Sequence, residues 1–256
     1  MCYTETMENS LKARIRDLDR TAAARDVTKH SMFLSPAEQS EVLGMERELT
    51  CPGYFFTGGS EEAERRMIVF PSSYDDAERL EAELLACIRV EPAAAKFSDD
   101  LTHRDYLGAL MNLGIDRGCL GDIRMEGNTA CIFVVREMAR TVADGLDRVK
   151  HTTVRTKEIP LSCGAGSVNF REQKVNVASE RLDGIIAAVF RLSRSEASAL
   201  IAAEKVFLDG RTAAGGSSRL TEGMKISVRG MGKFIYDGIE AESRKGRLFV
   251  KIRRYV

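Results

Sequence analysis

The alternation of strand-like and helix-like patterns between residues 83 and 159 restricts the fold of this chain more than any other feature of its sequence. Apolar and β-branched runs alternate there with stretches in which apolar residues recur three and four positions apart. The elements are, in order, a strand over 83–90, a helix over 102–113, strands over 123–125 and 130–135, a helix over 138–149 and a strand over 152–159. This β-α-β-β-α-β order predicts a plait, in which two helices pack on one antiparallel sheet.

Local capping and turn residues support that order. Thr102 with Asp105 three residues later forms a capping box at the start of the first helix, and Gly114 is suited to end it. The sequence Glu126-Gly127-Asn128 predicts a hairpin between the two middle strands. The plait is therefore predicted to occupy residues 76–160.

Two further regions flank the predicted plait, and the 256 residues are long enough for them. Residues 1–75 predict an N-terminal region of helices and short strands, in which Ser35-Pro36-Ala37-Glu38 is a strong helix start. Residues 161–178 are rich in glycine, serine and polar residues, which predicts a linker. A C-terminal domain is predicted over 179–256, so the chain is predicted to be a multi-domain α+β protein.

Residues 179–256 combine two helical patterns with four strand-like segments. The second helix begins with the capping box Ser193-Arg194-Ser195-Glu196. The strand-like segments lie at 206–208, 225–229, 233–239 and 248–254, with turns at Asp209-Gly210 and Lys245-Gly246. The pattern predicts two short helices packed on a small antiparallel sheet.

Charge is distributed unevenly along the chain, although its net charge is zero. Residues 171–256 contain 17 Lys and Arg against 10 Asp and Glu, whereas residues 1–170 contain 21 against 28. Such a difference between two halves of a chain indicates a polyanionic partner for the basic half. A chance distribution is equally compatible with these counts. A polyanionic partner is therefore indicated only if the cations lie close together in the fold.

Composition excludes several classes of protein. With 44% hydrophobic and 30% charged residues, the chain is globular, and no apolar run approaches the ~18 residues of a membrane span. The first ten residues are polar and acidic, unlike a secretory signal, and the six cysteines lie far apart with no C-x-x-C pair. We therefore expect a cytoplasmic protein without membrane contacts, structural metal or cofactor.

No catalytic centre is visible in the sequence. His103-Arg104-Asp105 matches the triplet of the protein-kinase catalytic loop, but Asn112 follows Asp105 by seven residues instead of five, and the other kinase motifs are absent. Asp105 fits better as a helix cap. His103 and Arg104 then project from the first turn, where backbone N–H groups favour an anion. A phosphate contact there and a solvated first turn are equally compatible with the sequence.

The cations of residues 179–256 form the most specific candidate site. Arg194 follows the cap residue Ser193, so its planar guanidinium and the helix N-terminus both suit phosphate. The candidates on or beside the two helices are Arg181, Ser193, Arg194 and Lys205, and those on strands and turns are Arg229, Lys233, Arg244, Lys245 and Arg247. For each residue taken alone, a solvated surface position is the alternative.

The same residues resemble the S4 RNA-binding domain. The shared pattern consists of Arg181-Leu182-Asp183, Leu192-Ser193-Arg194-Ser195-Glu196-Ala197, Leu200-Ile201, Val206, Asp209-Gly210, Ser227-Val228-Arg229-Gly230 and Gly232-Lys233-Phe234. Two positions depart from it: Asp209 replaces the usual Asn, and Met224 stands where Asp is common. The first departure puts one polar contact in doubt.

The middle of the chain resembles the YlmH-type family of bacterial and plastid proteins. The resemblance is carried by Lys96-Phe97, Leu101-Thr102-His103-Arg104-Asp105, Leu107-Gly108-Ala109-Leu110-Met111-Asn112-Leu113-Gly114 and Gly121-Asp122-Ile123. It implies an N-terminal region, a plait-like RNA-binding domain and a C-terminal S4 domain. It also implies a non-catalytic protein that binds structured RNA, both rRNA and tRNA, on the large ribosomal subunit during rescue of stalled ribosomes. We expect such a protein to be monomeric.

Two other functions remain open on the sequence. S4 domains are also attached to RNA-modifying enzymes, but a methyltransferase needs a Gly-rich cofactor loop and a pseudouridine synthase needs a catalytic Asp on a larger sheet domain. We find no such loop, and Arg181-Leu182-Asp183 belongs to the start of a helix. A protein–protein adaptor would use the acidic N-terminal half. With no Trp and six Tyr, we expect RNA to be read by shape and phosphate contacts without an aromatic platform.

Overall fold

The computed structural model describes residues 2–60, 62–164, 170–243 and 246–255, with the side chains of 2–9 and 97 left undescribed. The chain divides into two compact units, Met1–Gly166 and Ser167–Val256, and each is described by itself. No helix in the described ranges is both long and apolar enough to span a membrane.

The N-terminal part of the first unit is a three-stranded sheet with two helices. Its elements are α1 (Cys2–Arg25), β1 (Lys29–His30), α2 (Pro36–Leu43), β2 (Phe55–Thr57) and β3 (Met67–Phe70), and the antiparallel strand order is β1-β3-β2. The predicted capping box starts α2, since the backbone N–H of Ser35 donates to Glu38 at 2.7 Å. Ile15 of α1 packs with Ile68 and Phe70 of β3 in one core.

The rest of the first unit contains a five-stranded antiparallel sheet. Its elements are α3 (Ala77–Leu84), β4 (Leu85–Pro92), α4 (His103–Asn112), β5 (Leu120–Glu126), β6 (Thr129–Val135), α5 (Ala139–Gly145), β7 (Arg148–Val149), β8 (Thr152–Ile159) and α6 (Leu161–Gly164). The strand order is β5-β6-β4-β8-β7, so the predicted β-α-β-β-α-β succession is present. The helix predicted over 138–149 ends at Gly145, and Arg148–Val149 forms the edge strand β7 instead. The predicted strand over 83–90 begins two residues later, because α3 extends to Leu84. Short 3₁₀ turns lie at Glu46–Glu48, Ala95–Phe97, Arg117–Cys119 and Arg136–Met138.

The two faces of this sheet are covered differently. Tyr106 and Leu110 of α4 and Val142 of α5 are buried against Ile88 and Ile132 on one face. Part of the other face packs against the N-terminal region in a second cluster formed by Phe33, Met67, Leu85, Cys87, Phe133 and Val135. The N-terminal region therefore covers only part of the sheet's outer face.

The second unit is a six-stranded antiparallel sheet with two helices. Its elements are β9 (Phe170–Val177), α7 (Leu182–Phe190), α8 (Arg194–Ala202), β10 (Val206–Leu208), β11 (Arg211–Thr212), β12 (Lys225–Val228), β13 (Gly232–Glu242) and β14 (Leu248–Tyr255). The strand order is β11-β10-β12-β13-β14-β9. Ile185, Ile186 and Val189 of α7 pack with Phe234 and Tyr236 of β13, so both helices lie on one face of the sheet.

The structure corrects the predicted linker over 161–178. Leu161–Gly164 is a short helix, and Phe170–Val177 is a strand paired with β14 along its whole length. Strand alternation explains the difference: Val175 and Val177 are buried in the core of the second unit, while Lys174 and Asn176, which alternate with them, face outward. The C-terminal unit therefore begins before residue 179, and only residues 165–169 of the predicted linker lie outside the described residues.

Candidate nucleic-acid interface

Asp183 connects two of the predicted phosphate-binding arginines. It lies in the first turn of α7 and is only 4% exposed. Arg181 donates to its carboxylate from Nε at 3.2 Å and from Nη2 at 3.0 Å, and Arg194 donates from Nε and Nη2, each at 3.3 Å. The backbone N–H of Gly184 donates to the same carboxylate at 2.7 Å. One carboxylate therefore fixes two guanidinium groups beside the N-termini of both helices.

A glycine in the loop before β12 permits this arrangement. The backbone N–H of Asp183 donates to the carbonyl of Gly216 at 3.3 Å. A β-carbon on Gly216 would lie 3.0 Å from Oδ2 of Asp183, tighter than ordinary contacts. Gly216 thus serves a close backbone approach. Each guanidinium uses two of its five N–H donors on Asp183, and three remain.

We expect the Asp183 carboxylate to make the second unit lose stability in acid. Hydrogen bonds from Arg181, and secondarily from Arg194 and Gly184, hold the pKa of Asp183 below its ordinary value of 3.8. The carboxylate therefore adds to the free energy of unfolding in full above pH 3.8. This stabilisation is lost as the pH falls through the lower pKa of the folded state. Acid should therefore reduce hydrogen-exchange protection of β12 and β13 less in Asp183→Asn than in the wild type. Equal losses in both proteins would contradict this role.

Ser193 is used by the helix itself. Its hydroxyl and backbone N–H both donate to Glu196 at 2.7 Å, and it accepts from the backbone N–H of Glu196 at 3.2 Å. The predicted capping box of α8 is therefore present. Ser193 positions Arg194 in the first helical turn, and its own side chain is engaged in the cap.

A second group of predicted residues lies at one end of the sheet. The backbone N–H of Arg229 donates to the carbonyl of Lys205 at 2.8 Å, so the two exposed cations are neighbours. The guanidinium of Arg229 lies 5.3 Å from the ring centroid of Phe207 on β10. Lys233 on β13 pairs with Ser227, which pairs in turn with Phe207, so Lys233 shares this row across the sheet.

The row continues along the face of the sheet that points away from the helices. The ammonium of Lys233 lies 5.1 Å from the ring centroid of Tyr255, and the guanidinium of Arg253 lies 5.2 Å from that of Phe170. Tyr255 and Phe170 are themselves in edge-to-face contact, with centroids 4.9 Å apart. Three aromatic rings, each beside a cation, therefore lie on the outer face, and we call Phe207, Tyr255, Phe170, Arg229, Lys233 and Arg253 the aromatic row.

The prediction of one cationic cluster is corrected by this geometry. Phe234 and Tyr236 of β13 point toward the helices. Because successive residues of a strand point to opposite faces, Lys233 points away from the helices and from Arg194. Arg247 lies at the far end of the β13–β14 hairpin, where Nη2 donates to the carbonyl of Asn176 at 3.2 Å. Arg244 and Lys245 lie outside the described residues. The sequence could not show this division, because strand register and alternation separate residues that are close in the chain.

His103 and Arg104 belong to the first unit and are exposed in the first turn of α4. The adjacent Asp105 accepts from the backbone N–H of Thr102 at 2.8 Å and forms an ion pair with Lys150, also at 2.8 Å. The hydrogen bonds from Lys150 and Thr102 lower the pKa of Asp105 to about 2. The predicted helix cap is present, and it places a fixed negative charge beside His103 and Arg104.

Residues 86–163 match the model of a family described as "Putative RNA-binding domain in YlmH". Over 224 residues the chain is 32% identical to the "Ribosome-associated protein quality control protein P2" of Bacillus subtilis (strain 168), covering 87% of this chain and 85% of the relative. The chain belongs to the YlmH family. It is also similar to the solved "Cell division protein ylmH from Streptococcus pneumoniae", with 18% identity, a TM-score of 0.49, and coverage of 62% of this chain and 95% of that one.

Two parts of the candidate interface in this YlmH-family chain were not predicted from the sequence. The sequence presents Asp183 only as part of a motif, although Arg181, two residues before it, lies within reach of its carboxylate. The aromatic row was not expected at all. Strand alternation could have indicated part of it, since Arg253 and Tyr255 are two residues apart and share a face.

The departure at Asp209 has a clear structural outcome. Asp209 and Gly210 both have positive φ, 44° and 81°, as the two-residue turn between β10 and β11 requires. The carboxylate of Asp209 accepts from the backbone N–H of Lys225 at 2.9 Å. Asp209 thus makes a side-chain contact to the backbone of β12.

Among the described residues, no cluster of three or more His, Cys, Asp or Glu side chains could hold a metal ion.

Proposed function

We propose that this YlmH-family chain is a non-catalytic RNA-binding protein that recognises structured RNA, namely rRNA and tRNA, through a C-terminal domain of the S4 type. The proposal is supported by the match of residues 86–163 to a family described as RNA-binding. It is also supported by the arrangement of two helices on an antiparallel sheet that carries the motif residues Arg181, Asp183 and Arg194.

The observation that carries the proposal is the pair of arginines fixed by Asp183. Ordering a long side chain on binding costs roughly 0.5–1.5 kcal/mol, so a guanidinium already held in place binds a phosphate at lower cost. Arg181 and Arg194 each keep donors for such a contact, and about half of each side chain is exposed, 45% and 56% respectively. Lys205 and Arg229 add positive charge at the end of the sheet.

The place of action is proposed from the relative. The Bacillus subtilis protein is named for ribosome-associated quality control. We place this chain on the large ribosomal subunit, as a cytoplasmic monomer that acts in rescue of stalled ribosomes. Cosedimentation with purified large and small subunits tests this part: binding to the large subunit alone supports it, and binding to the small subunit alone contradicts it.

Replacing Arg181 and Arg194 together by alanine is expected to weaken binding of rRNA fragments and tRNA. Because each residue is proposed to contact one phosphate, the slope of log affinity against log salt should become shallower by ~0.7–0.9 per lost contact. The measurement is a fluorescence titration of labelled RNA at several salt concentrations. An unchanged affinity and slope in the folded variant would remove these two residues from the interface.

A variant with Lys174 and Arg247 replaced by alanine is the matched control. It removes the same charge from the same unit, but these residues are held by Glu240 and Asn176 toward the other end of β13 and β14. We expect a smaller loss of affinity. An equal loss would show that net charge alone determines binding. Analysis of nucleosides in RNA incubated with the pure protein tests the absence of catalysis, and any modified nucleoside would contradict it.

A further inference from the structure

A row of cations crosses the part of the plait sheet that the N-terminal region leaves uncovered. On four neighbouring strands, Arg124 pairs with Cys131, Cys131 with Arg89, and Arg89 with Lys157. Residues paired in this way point to the same face, and we call Arg124, Arg89 and Lys157 the cationic row. With strands ~4.8 Å apart, the row spans roughly 14 Å.

The face on which the row lies follows from the burial of its neighbours. Ile88 and Val90 flank Arg89 in sequence and are fully buried under the helices of the plait, so Arg89 points the other way. Arg89 and Lys157 are exposed, and Arg124 is half-buried, donating to Oγ of Ser60 at 2.6 Å. The apolar cluster around Phe133 and Cys87 borders this row, because Cys131, which lies between Arg124 and Arg89, packs against it.

The charge of the row contrasts with that of its surroundings. Residues 1–170 carry more acidic than basic side chains, yet the row itself contains no carboxylate. Three carboxylates on this face, Asp122, Glu91 and Glu126, lie two residues along their strands from Arg124 or Arg89. Glu91 forms an ion pair with Arg89 at 3.3 Å, and Asp122 accepts from the backbone N–H groups of Glu64 and Arg65. A further cation, Arg155, lies opposite Glu91. The face is therefore positive at its centre.

The direct pairing of Arg89 with Lys157 places two cations opposite each other on adjacent strands, although Arg89 also forms an ion pair with Glu91. Like charges placed opposite each other on adjacent strands destabilise the pairing, whereas opposite charges or apolar residues would stabilise it. Both side chains are exposed on this face of the sheet, and the sheet nevertheless has a cation at each of the two paired positions. Such a local conflict is typical of positions that serve binding.

We propose that the cationic row binds the phosphate backbone of RNA, as a second contact surface in the domain that spans residues 86–163. The proposal rests on the proposed function, because it assigns to this domain the same class of ligand. Charge complementarity selects the ligand: three cations across ~14 Å match the repeated negative charge of a nucleic-acid strand. The contact is to the backbone, so it positions the RNA without reading its sequence.

The test replaces Arg89 and Lys157 by glutamine in the full chain. The probes are a labelled 20-nucleotide single strand and a hairpin RNA of equal length. Loss of two phosphate contacts should lower affinity and make the salt slope shallower by about 1.4–1.8. Removing the like-charge pair should leave the melting temperature unchanged or raised. Arg89→Lys with Lys157→Arg keeps both charges and should bind like the wild type.

The matched control is Arg79→Gln with Arg140→Gln, which removes two cations from the same unit at side chains that are 77% and 92% exposed. If the wild type binds RNA but the row variant retains the affinity and slope of this control, the cationic row is not a binding surface and the proposed function stands. If the wild type binds neither probe nor rRNA or tRNA, the proposed function fails as well. Should the double variant not fold, Lys157→Gln alone provides the test, with an expected slope change of ~0.7–0.9.

Discussion

Replacing Phe133 by alanine is expected to lower the free energy of unfolding of the first unit by about 3–5 kcal/mol. Phe133 is fully buried in the cluster that joins the plait sheet to the N-terminal region. Three glycines surround it: a β-carbon on Gly59, Gly121 or Gly164 would lie 2.5, 3.1 or 3.2 Å from its side chain. Because these glycines have no side chains that could move into the vacated volume, removing the Phe133 ring leaves a cavity. Urea denaturation followed by circular dichroism measures the effect.

The control for this prediction is Met111→Ala on α4, whose side chain is 45% exposed. Its cost should stay within about 0.5 kcal/mol, the usual range for surface substitutions. Hydrogen exchange should locate the loss in Phe133→Ala to β4 and β6. A loss below about 1 kcal/mol would show that the glycine-rich surroundings collapse onto the vacated volume.

Replacing Asp183 by alanine should damage both the stability of the second unit and its binding of RNA. The change leaves the N–H of Gly184 without its carboxylate and leaves Arg181 and Arg194 without their common partner. Breaking a buried ion pair costs about 3–5 kcal/mol, but both arginines are about half exposed, so we expect about 2 kcal/mol. Affinity for RNA should fall because the two guanidinium groups are then ordered only on binding. Urea denaturation and RNA titration measure the two effects.

Two comparison variants separate the causes. Asp183→Asn keeps the shape and one acceptor oxygen for Gly184, so its stability should lie between those of the wild type and Asp183→Ala. Arg181→Ala removes one exposed partner and should cost less than about 1 kcal/mol. If Asp183→Ala unfolds at the same urea concentration as the wild type and binds RNA equally well, the carboxylate does not organise the interface.

The local elements of this protein could be predicted well because the interactions that start and end them lie within a few residues. The boxes at Ser35 and Ser193 both appear as the sequence indicates, and each involves a residue three positions later. The hairpin turn at Gly127 likewise has the positive φ, 57°, that its sequence suggests. In such cases the partners are close in the chain, so no tertiary information is needed.

The linker and the cationic cluster could not be predicted, because both depend on pairing between distant strands. Residues 170–177 look like a polar linker until β14 pairs with them and gives Val175 and Val177 a core to enter. Arg247 and Lys233 look like neighbours in a basic tail until the long hairpin of β13 and β14 places them at opposite ends. Composition describes such segments, but the register of the sheet determines their role.

The amino-acid sequence by itself determined the β-α-β-β-α-β order of the plait, the caps and turns, and the concentration of positive charge after residue 170. Only the tertiary structure decided which charges meet: it joined Arg181 to Arg194 through Asp183, separated Lys233 from Arg194, and aligned Arg89 with Lys157. The physical reason is the difference in range. Capping and periodicity act over three or four residues, whereas cross-strand neighbours are set by a register that buries one face of every strand at once.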